Sequence, residues 1–380
     1  MIISALDIGT SKIDLVIGKK DNDGQLKILY CCKKEIDLPL IENISKIINS
    51  MINEAEIKTT FKINEAFISF KDRHAKSILY KESCIRTNID EFTSEIDVEN
   101  LKQTVVEKFN KEDETVLHFF PQEFIIDNME GIQYPYGMSG ICFESVFLLI
   151  LVRESTIKKI QRILQKTKLT NKTFFLNSLA SAEAVLTEEE ICCGVLLIDF
   201  GSNYSEIAIY SDGLLRYFAV IPYGGYLITD EIQKTLKISY KEAERIKKEV
   251  ASAIFIENTE EFISVSEILG DNFNEISLSF FTQLIRNQID KLIHQLISEV
   301  NSSAFVFQSE DLGAKTISKI VCCGGGAMIK NLAEYIEYKT GITVKNGNPA
   351  LYLSSYPDEI KDSSYSSAVG LLIKELKLNK

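Results

Sequence analysis

One supersecondary pattern occurs twice in this chain, and the duplication restricts the possible folds more than any other feature. Each copy has an apolar strand, a short polar loop that begins with Asp, a second strand, a turn and a third strand. In the first copy, the strand is predicted at Ile2–Leu6, the loop at Asp7–Lys12 and the turn at Asp23-Gly24. In the second copy, the strand is predicted at Val195–Ile198, the loop at Asp199–Ser205 and the turn at Asp212-Gly213. Asp-Gly between alternating apolar runs is typical of hairpins. Two copies of one unit predict two similar domains that face each other.

Amphipathic stretches lie between and after the two copies. Apolar residues at steps of three and four predict helices at Leu40–Ala55, Val152–Leu169, Ser239–Val250 and Phe280–Val300. Ser239 with Glu242 has the spacing of a capping box, which marks a helix start. Strands and helices therefore alternate, which predicts an α/β fold. The loop-rich stretch Lys81–Val152 looks like an insertion between the two copies.

Charge and composition argue against several classes of protein. Asp and Glu total 54 against 42 Lys and Arg, and the net charge of -12 disfavours nucleic-acid binding. The longest apolar stretch, Val146–Val152, is far shorter than the roughly 18 residues of a membrane span. Asp7 interrupts the first apolar run and no basic leader precedes it, so we expect no signal peptide.

The cysteines and histidines offer little to a metal or redox site. Six of the 8 cysteines form adjacent pairs, none forms C-x-x-C, and the 3 histidines are scattered. Adjacent residues of a strand point to opposite faces, so small buried hydrophobic residues are the favoured interpretation of these cysteines over a metal or redox site.

The two loops that begin with Asp have the chemistry of a phosphate site. Small residues after a strand expose backbone N–H groups that form a concave anion site, and glycine allows close approach. A carboxylate there would repel phosphate unless a cation lies between, so Asp7 and Asp199 suit a hydrated Mg²⁺, and Lys12 suits the phosphates. The alternative is a pair of plain hairpin turns with capping aspartates, which the repetition disfavours.

Two further glycine clusters extend this prediction. Gly324–Gly326 follow a strand and precede a helix, where they suit adenine or a phosphate lying against the backbone. Gly224-Gly225 are equally compatible with a ligand contact and with a plain turn.

Several segments of the chain, taken together, resemble FtsA, the cell-division family of the actin-like ATPase superfamily. They are ALDIGTSK, FPQEFIIDNMEGIQYPYGMSG, LASAEAVLTEEE, RYFAVIPYGGYLITDEI and GGGAMIKNLAEYIEYKTGITVKNGNP. The second segment is the most specific, because it is similar to a part of the family's extra subdomain, called 1C, that sugar kinases and chaperones lack. The resemblance extends from Met1 to about Leu372.

The resemblance implies an α/β, actin-like (ribonuclease H-like, duplicated) fold with a nucleotide cleft between two domains and subdomain 1C in place of actin's 1B. It divides the chain into subdomain 1A at 1–80 and 155–190, 1C at 81–154, 2A at 191–227 and 303–350, 2B at 228–302, and a C-terminal return to 1A at 351–380.

The resemblance also implies ligand contacts, position by position. Phosphate contacts fall on Asp7, Gly9, Thr10, Ser11, Lys12, Gly201, Ser202, Asn203, Tyr204, Gly224 and Gly225. Adenosine contacts fall on Glu244, Lys247, Gly324, Gly325, Gly326 and Ala327. Asp7 and Asp199 are implied to hold Mg²⁺ through water, and no residue is assigned a catalytic role.

The chain departs from the family pattern at three places. Its second loop, Asp199–Glu206, lacks two glycines and a threonine, and Tyr204 there is large enough to crowd a γ-phosphate. Asn177 replaces the glutamate that orients the attacking water in actin-like relatives, so we expect at most weak ATPase activity. Ala368–Leu378 resembles a packed last helix more than the family's membrane helix, despite a faint basic amphipathic pattern.

The implied function is that of an FtsA-type division scaffold in the cytoplasm, at the inner face of the cell membrane at the division site. It would bind ATP or ADP with Mg²⁺, polymerise head to tail with itself, bind the FtsZ C-terminal peptide through 2B and recruit other division proteins. Its membrane contact would be indirect or weak. Two alternatives remain open: a PilM-like platform for a peptide of a membrane assembly partner, and a small-molecule kinase.

Overall fold

The computed structural model describes residues 2–21, 24–37, 39–86, 92–109, 113–254, 262–264, 275–307 and 315–378. The part up to the second hairpin contains β1 Ile2–Ile8, β2 Lys12–Lys20, β3 Leu26–Glu35, α1 Ile41–Thr59, β4 Glu65–Phe70, β5 Lys76–Ile85, α2 Glu95–Phe109, β6 Glu114–Ile126, β7 Met129–Ile132, β8 Cys142–Arg153, α3 Glu154–Leu164, β9 Thr170–Leu176, α4 Asn177–Val185 and α5 Glu188–Cys193. The rest contains β10 Val195–Asp199, β11 Ser205–Ser211, β12 Leu214–Ile221, α6 Gly225–Leu236, α7 Tyr240–Val250, β13 Phe262–Ser264, β14 Glu275–Ser277, α8 Leu278–Ser302, β15 Phe305–Val306, β16 Lys315–Thr316, β17 Lys319–Cys323, α9 Leu332–Thr340, β18 Val344–Asn346, β19 Leu353–Ser355 and α10 Ser366–Leu378, with short 3-10 helices at Gly325–Met328, Asp358–Lys361 and Ser363–Tyr365.

Two sheets of the same design form the body of the molecule. The first has the order β19-β3-β2-β1-β4-β9 and the second the order β12-β11-β10-β17-β18. In each, an antiparallel hairpin is followed by a parallel neighbour, β4 beside β1 and β17 beside β10. The repeat read from the sequence is therefore a structural duplication, and the actin-like two-domain fold is confirmed.

The two hairpins have equivalent registers at the ends that carry Asp7 and Asp199. Asp7 lies opposite Asp14 in the first hairpin, and Asp199 lies opposite Glu206 in the second. Both predicted loop boundaries were wrong, because pairing continues through the aspartates: the loops comprise only residues 9–11 and 200–204.

Two helices lie between the sheets and fix the floor of the space between the domains. α4 packs against α10, β9 and β10, and α10 packs against β1, β2 and β4. β10 is buried on both faces, with Leu197 in the core of the first domain and Leu196 and Ile198 in that of the second. The N-terminus of α4 consequently lies beside the ends of both central strands.

A separate small sheet is inserted after β4. It has the order β5-β8-β6-β7 and is covered by α2, with Val105, Phe143 and Phe147 in its own core. It also contacts β12 of the second domain, where Ser77 Oγ donates to the Phe218 carbonyl oxygen at 2.8 Å and accepts from the Phe218 N–H at 2.9 Å. Gln122 Nε2 donates to the Leu215 carbonyl oxygen at 3.1 Å.

Local sequence signals predicted a hairpin turn and a helix start that the structure contains. Asp212 and Gly213 have φ of 55° and 79°, as the predicted Asp-Gly hairpin requires, whereas Asp23 lies outside the described residues. The predicted capping box of Ser239 and Glu242 is present, with both hydrogen bonds made. The helix expected at Val152–Leu169 was too long, because β8 continues to Arg153 and the helix ends at Leu164.

The last helix, α10, packs in the core as predicted. Leu371 and Leu372 are fully buried, Leu376 is nearly so, and only Leu378 is largely exposed. Within the described residues, no helix is long and apolar enough to cross a membrane.

Candidate functional site

The first loop is a tight hairpin end that carries its own lysine. The Gly9 N–H donates to the Lys12 carbonyl oxygen at 3.0 Å, and a side chain on Gly9 would approach that oxygen to 2.9 Å. Lys12 Nζ donates to Asp14 Oδ2 at 2.5 Å and to the Ser364 carbonyl oxygen at 3.0 Å. The positive charge of this loop is therefore held at its base, against the buried Asp14.

Asp7, at the end of β1, is 4% exposed and lies on the floor between the domains. Its Oδ1 accepts from Ser69 Oγ at 3.1 Å and from Asn177 Nδ2 at 2.9 Å. Burial, with a smaller contribution from the Asp14 carboxylate, raises the pKa of Asp7 to about 7. Near neutral pH this carboxyl can be protonated or charged, and a nearby cation would favour its charged form.

The second loop is held by a helix N-terminus. The Gly225 N–H donates to the Gly201 carbonyl oxygen at 3.0 Å, and the Tyr226 N–H donates to the Ser202 carbonyl oxygen at 2.7 Å. A Cβ on Gly224 would lie 2.3 Å from the Ser202 carbonyl oxygen, so glycine is needed for this approach. The predicted phosphate glycines Gly224 and Gly225 thus brace the loop, and the Gly225 N–H is already engaged with it.

A lysine that the sequence analysis did not single out lies at the centre of the site. Lys71, directly after β4, donates from Nζ to Asp199 Oδ1 at 2.8 Å, and both side chains are 5% exposed. Asp199 Oδ2 accepts from Ser181 Oγ of α4 at 3.1 Å. The second loop therefore takes its positive charge from the first domain.

Glu206 is the second buried acid that the sequence analysis missed. One of its oxygens, Oε2, accepts from the backbone N–H of Ser178 in the first turn of α4 at 2.8 Å, a place where a helix favours negative charge. Burial is the main reason that the pKa of Glu206 is raised to about 7, although the Lys71 charge opposes the shift.

Four buried oxygen atoms around the floor have no hydrogen-bond partner among the described residues. They are Asp14 Oδ1, Asn177 Oδ1, Ser178 Oγ and Glu206 Oε1. Buried acceptors of this kind are costly unless a cation or water serves them. Within the described part of the chain, no three Asp, Glu, His or Cys side chains converge closely enough to hold a bare metal ion. Mg²⁺ retains most of its waters in proteins, and buried acceptors of this kind fit its water shell.

The third glycine cluster closes the same site from the second domain. Gly324 has φ of 82°, and a side chain there would lie 2.6 Å from Asp199 Oδ1. The Gly326 N–H donates to the Phe200 carbonyl oxygen at 3.1 Å, whereas a side chain on Gly325 would meet only open space. The Gly324 N–H donates to the Ser363 carbonyl oxygen at 3.1 Å, which joins this cluster to the segment before α10.

Glu244 and Lys247 form a compact polar group on α7, facing α6. Lys247 Nζ donates to Glu244 Oε2 at 2.6 Å, to Thr229 Oγ1 at 2.7 Å and to the Gly225 carbonyl oxygen at 3.1 Å. Burial lowers the pKa of Lys247, although Glu244 opposes the shift. Glu244 and Lys247, two of the predicted adenosine residues, are thus bonded to α6, the helix that braces the second loop.

The predicted residues lie around the ends of β1 and β10. Asp7 is bonded to Ser69 and Asn177, and Asp199 is bonded to Lys71 and Ser181, so both aspartates contact the end of β4 and helix α4. Gly324 lies against Asp199. Gly224, Gly225 and Gly326 line one small apolar cavity of about 20 Å³ beside Phe200. The remaining predicted contacts are exposed at Ser11, Asn203 and Gly325, half-buried at Thr10, Ser202, Tyr204 and Gly326, and buried at Ala327.

Two FtsA-specific family models match separate parts of the chain. The model described as cell division protein FtsA matches residues 196–370, and the model described as the SHS2 domain inserted in FtsA matches residues 77–151. The second range coincides with most of the inserted sheet, β5 to β8.

Similar proteins and structures agree with these matches. FtsA of Neisseria meningitidis serogroup B is 28% identical over 383 residues, which cover 99% of this chain and 90% of that protein. FtsA of Escherichia coli K12 is 28% identical over 387 residues, covering 100% of this chain and 91% of the relative.

Among solved structures, the PilM-PilN type IV pilus biogenesis complex aligns with a TM-score of 0.69 at 13% identity, over 98% of each chain. MreB5 of Spiroplasma citri bound to ADP aligns at 0.51 and 15% identity, over 100% of this chain and 97% of that one. These likenesses support the actin-like fold. The paired FtsA models and the end-to-end relatives show that this chain belongs to the FtsA family of cell-division proteins.

Proposed function

We propose that this cell-division protein binds ATP or ADP with Mg²⁺ in the cleft between its two domains and acts there as a nucleotide-dependent scaffold. The observation that carries the proposal is the convergence of two Asp-ended hairpins and one glycine cluster around buried acceptors without partners. A phosphate chain needs backbone donors and positive charge, and a hydrated cation needs acceptors. The fold supports the same interpretation, since the related MreB5 structures carry ADP or AMPPNP.

Different groups of the chain would bind the phosphates, the Mg²⁺ ion and the adenosine. The loops 9–11 and 200–204 would present N–H groups to phosphate oxygens, with Lys12 and Lys71 as positive charges. Asp7 and Asp199 would accept from the water shell of Mg²⁺, which, when bound, offsets the charge of the phosphates. Gly324–Ala327, with Glu244 and Lys247 opposite, would enclose the adenosine end.

Hydrolysis should be slow or absent. Asn177 lies at the start of α4, where it donates to Asp7, and its amide cannot take a proton from water. The nearby carboxyls of Asp7, Asp199 and Glu206 each accept a hydrogen bond from the chain, at Asp7 Oδ1, Asp199 Oδ1 and Glu206 Oε2. Steady-state phosphate release at saturating ATP that exceeds about one turnover per second would contradict this expectation, because that is the lower end of ordinary enzyme rates.

Calorimetry with Mg-ATP is the direct test of nucleotide binding. Asn203 is exposed on the second loop, so Asn203→Glu should leave the fold intact and weaken binding at least about tenfold by repelling phosphate. Asn100→Glu makes the same change on the exposed face of α2 and should bind like the parent chain. No heat of binding in the parent chain, or equal affinity in both variants, would reject the nucleotide site.

For the FtsZ C-terminal peptide, we propose a groove in the predicted subdomain 2B. A space of about 550 Å³ lies between α6 and α8, lined by Glu231, Thr235, Phe280, Gln283, Leu284, Asn287, Gln288, Asp290 and Lys291. Phe280 is 52% exposed and offers an apolar contact beside charged groups of both signs, which suits a short amphipathic peptide.

Fluorescence polarisation with a labelled FtsZ C-terminal peptide would test this groove. Asn287→Arg fills the groove, while Gln295→Arg makes a comparable change on an exposed position of the same helix outside it. We expect binding to be lost in the first variant and kept in the second. Binding of a pilus-type peptide in place of the FtsZ peptide would favour the PilM-like alternative, and phosphorylation of a small molecule would favour the kinase.

Head-to-tail self-association is the third part of the proposal, with the inserted sheet as one contact surface. Leu79 and Ile85 on β5 and nearby Phe92 are large apolar residues that are mostly exposed. Ile85→Asp should reduce the protein that sediments with nucleotide, and unchanged sedimentation would exclude this surface. Other division proteins would then attach to the polymer, and membrane contact would be indirect or weak.

A further inference from the structure

A buried ion pair between Lys71 and Asp199 joins the two domains at the floor of the cleft. Lys71 follows β4 of the first sheet, and Asp199 ends β10 of the second. Lys71 Nζ lies 2.8 Å from Asp199 Oδ1 and also donates to the Asp199 carbonyl oxygen at 3.3 Å. Both side chains are almost excluded from water, so neither charge is balanced by solvent.

The Lys71 ammonium occupies the part of the site where carboxylates are densest. Asp199, Glu206 and Asp7 all contribute favourable charge interactions with it. It also lies against the second loop, because a side chain on Gly201 would come within 2.8 Å of Nζ.

The neighbouring lysine is in a different position. Lys12 Nζ is held by Asp14 and by the Ser364 carbonyl oxygen, on the first domain's side of the floor. Of these two lysines, Lys71 is the one that bonds to Asp199, one of the two strand-end aspartates that the sequence assigned to Mg²⁺. An ammonium has three donors, so it can donate to a carboxylate and to a phosphate oxygen at the same time.

We propose that Lys71 is a built-in counter-charge of the phosphate site, which binds phosphate and takes over much of the cation's role at Asp199. Nucleotide binding in this chain should then depend only weakly on Mg²⁺. The inference rests on the proposed nucleotide site and specifies its cation requirement.

The test compares ATP affinity in excess Mg²⁺ and in EDTA, by equilibrium binding of a fluorescent ATP analogue. The Kd of the parent chain for the analogue should rise less than about tenfold in EDTA. Lys71→Met, which keeps the side-chain length without the charge, should bind at least about tenfold more weakly in EDTA and recover with Mg²⁺.

Lys374→Met is the matched control. Lys374 belongs to the same domain and pairs with Glu183 at 2.7 Å, away from the cleft, so its loss should not alter the ratio of the two affinities. If Lys71→Met fails to fold because Asp199 is left unpaired, the double variant Lys71→Met/Asp199→Asn removes both charges. It should still show the loss in EDTA.

Mn²⁺ without nucleotide gives a second readout. In the parent chain Lys71 holds Asp199, so Mn²⁺ should not raise the melting temperature, whereas Lys71→Met frees Asp199 and should be stabilised by the ion. Stabilisation of the parent by Mn²⁺, or equal affinities of parent and Lys71→Met in EDTA, would overturn the inference. Binding by the parent in Mg²⁺ with a loss of more than about a hundredfold in EDTA would overturn it while leaving the nucleotide site intact. No binding in either condition would reject both.

Discussion

The two hairpins share a register but differ in how they are completed. In the first, the loop and its lysine come from one continuous segment, with Lys12 bonded to Asp14 across the same hairpin. In the second, the lysine comes from the other domain, and the first turn of α6 braces the loop. Glu206 is bonded to the start of α4, which lies between the sheets.

This difference shows that a duplicated frame can be kept while the chemistry at its end is redistributed. The first hairpin would keep its charge balance if the domains separated, whereas the second depends on their contact. If nucleotide binds as proposed, its binding at the second loop would depend on the contact between the two domains, which supplies the Lys71 charge. The comparison can be tested by changing equivalent positions in the two hairpins.

The largest expected difference is between Asp199→Ala and Asp7→Ala. Asp199→Ala leaves the Lys71 charge buried without its direct partner and should lower the free energy of unfolding by about 3–5 kcal/mol. Asp7→Ala removes a carboxyl whose charge is already disfavoured by burial and should cost about 1 kcal/mol, for the lost hydrogen bonds. Urea unfolding at pH 7 measures the stability of both variants. Equal losses would mean that Asp7 and Asp199 stabilise their hairpins equally.

The next effect is a pH dependence of the same sign in both hairpins. Burial raises the pKa of Asp7 and of Glu206 to about 7, well above their values in an unfolded chain. Between about pH 4 and pH 7 the folded protein holds protons that the unfolded chain has released, so the free energy of unfolding falls as pH rises through this window.

Asp7→Asn and Glu206→Gln should each remove part of this fall. Because one pKa unit corresponds to about 1.4 kcal/mol, each variant should gain about 2 kcal/mol relative to the parent between pH 5 and pH 8. Denaturant unfolding across this pH range gives the difference directly. A constant difference between parent and variant would show that the carboxyl is ionised in the folded state.

Glycine-to-alanine changes should show a smaller difference between the loops. A Cβ at Gly201 would lie 2.4 Å from the Tyr204 carbonyl oxygen and close to Lys71, whereas at Gly9 the closest atom is 2.9 Å away. We expect Gly201→Ala to destabilise by about 2 kcal/mol and Gly9→Ala by about 1 kcal/mol or less, because backbone must move further in the second loop. A reversed order in thermal unfolding would contradict the tighter packing there.

The smallest effect is expected at the mouth of the cleft. Lys248 of α7 pairs with Glu35 at the end of β3 at 2.9 Å, but the side chains are 57% and 74% exposed. Glu35→Gln should therefore change the free energy of unfolding by less than about 0.5 kcal/mol, and less still in high salt. A larger loss would mean that the mouth, like the floor, holds the domains together.

Local signals in the sequence were sufficient for the duplicated hairpins. The Asp212-Gly213 turn and the Ser239 capping box depend on residues close in sequence, and the structure has both. The loop boundaries were misplaced because Asp7 and Asp199 look like loop residues by composition. Their strand pairing is set by the opposite strands.

The centre of the site required tertiary information. Lys71 and Asp199 are far apart in sequence, and a lysine after a strand has no local mark that distinguishes it from a solvated one. Glu206 could have been noticed, because it stands opposite Asp199 as Asp14 stands opposite Asp7. The serine segment before α10 likewise acquires its role only when Ser363 meets Gly324.

The contact between the inserted sheet and β12 has a consequence for solubility. β12 is the outermost strand of its sheet, and such strands present unpaired backbone groups that can recruit strands of other molecules. Ser77 and Gln122 occupy some of these groups at Phe218 and Leu215 with side-chain atoms. The inserted subdomain therefore shields a sheet edge that would otherwise favour aggregation. Its removal would expose the aggregation-prone edge of β12 and would also delete the surface proposed for self-association.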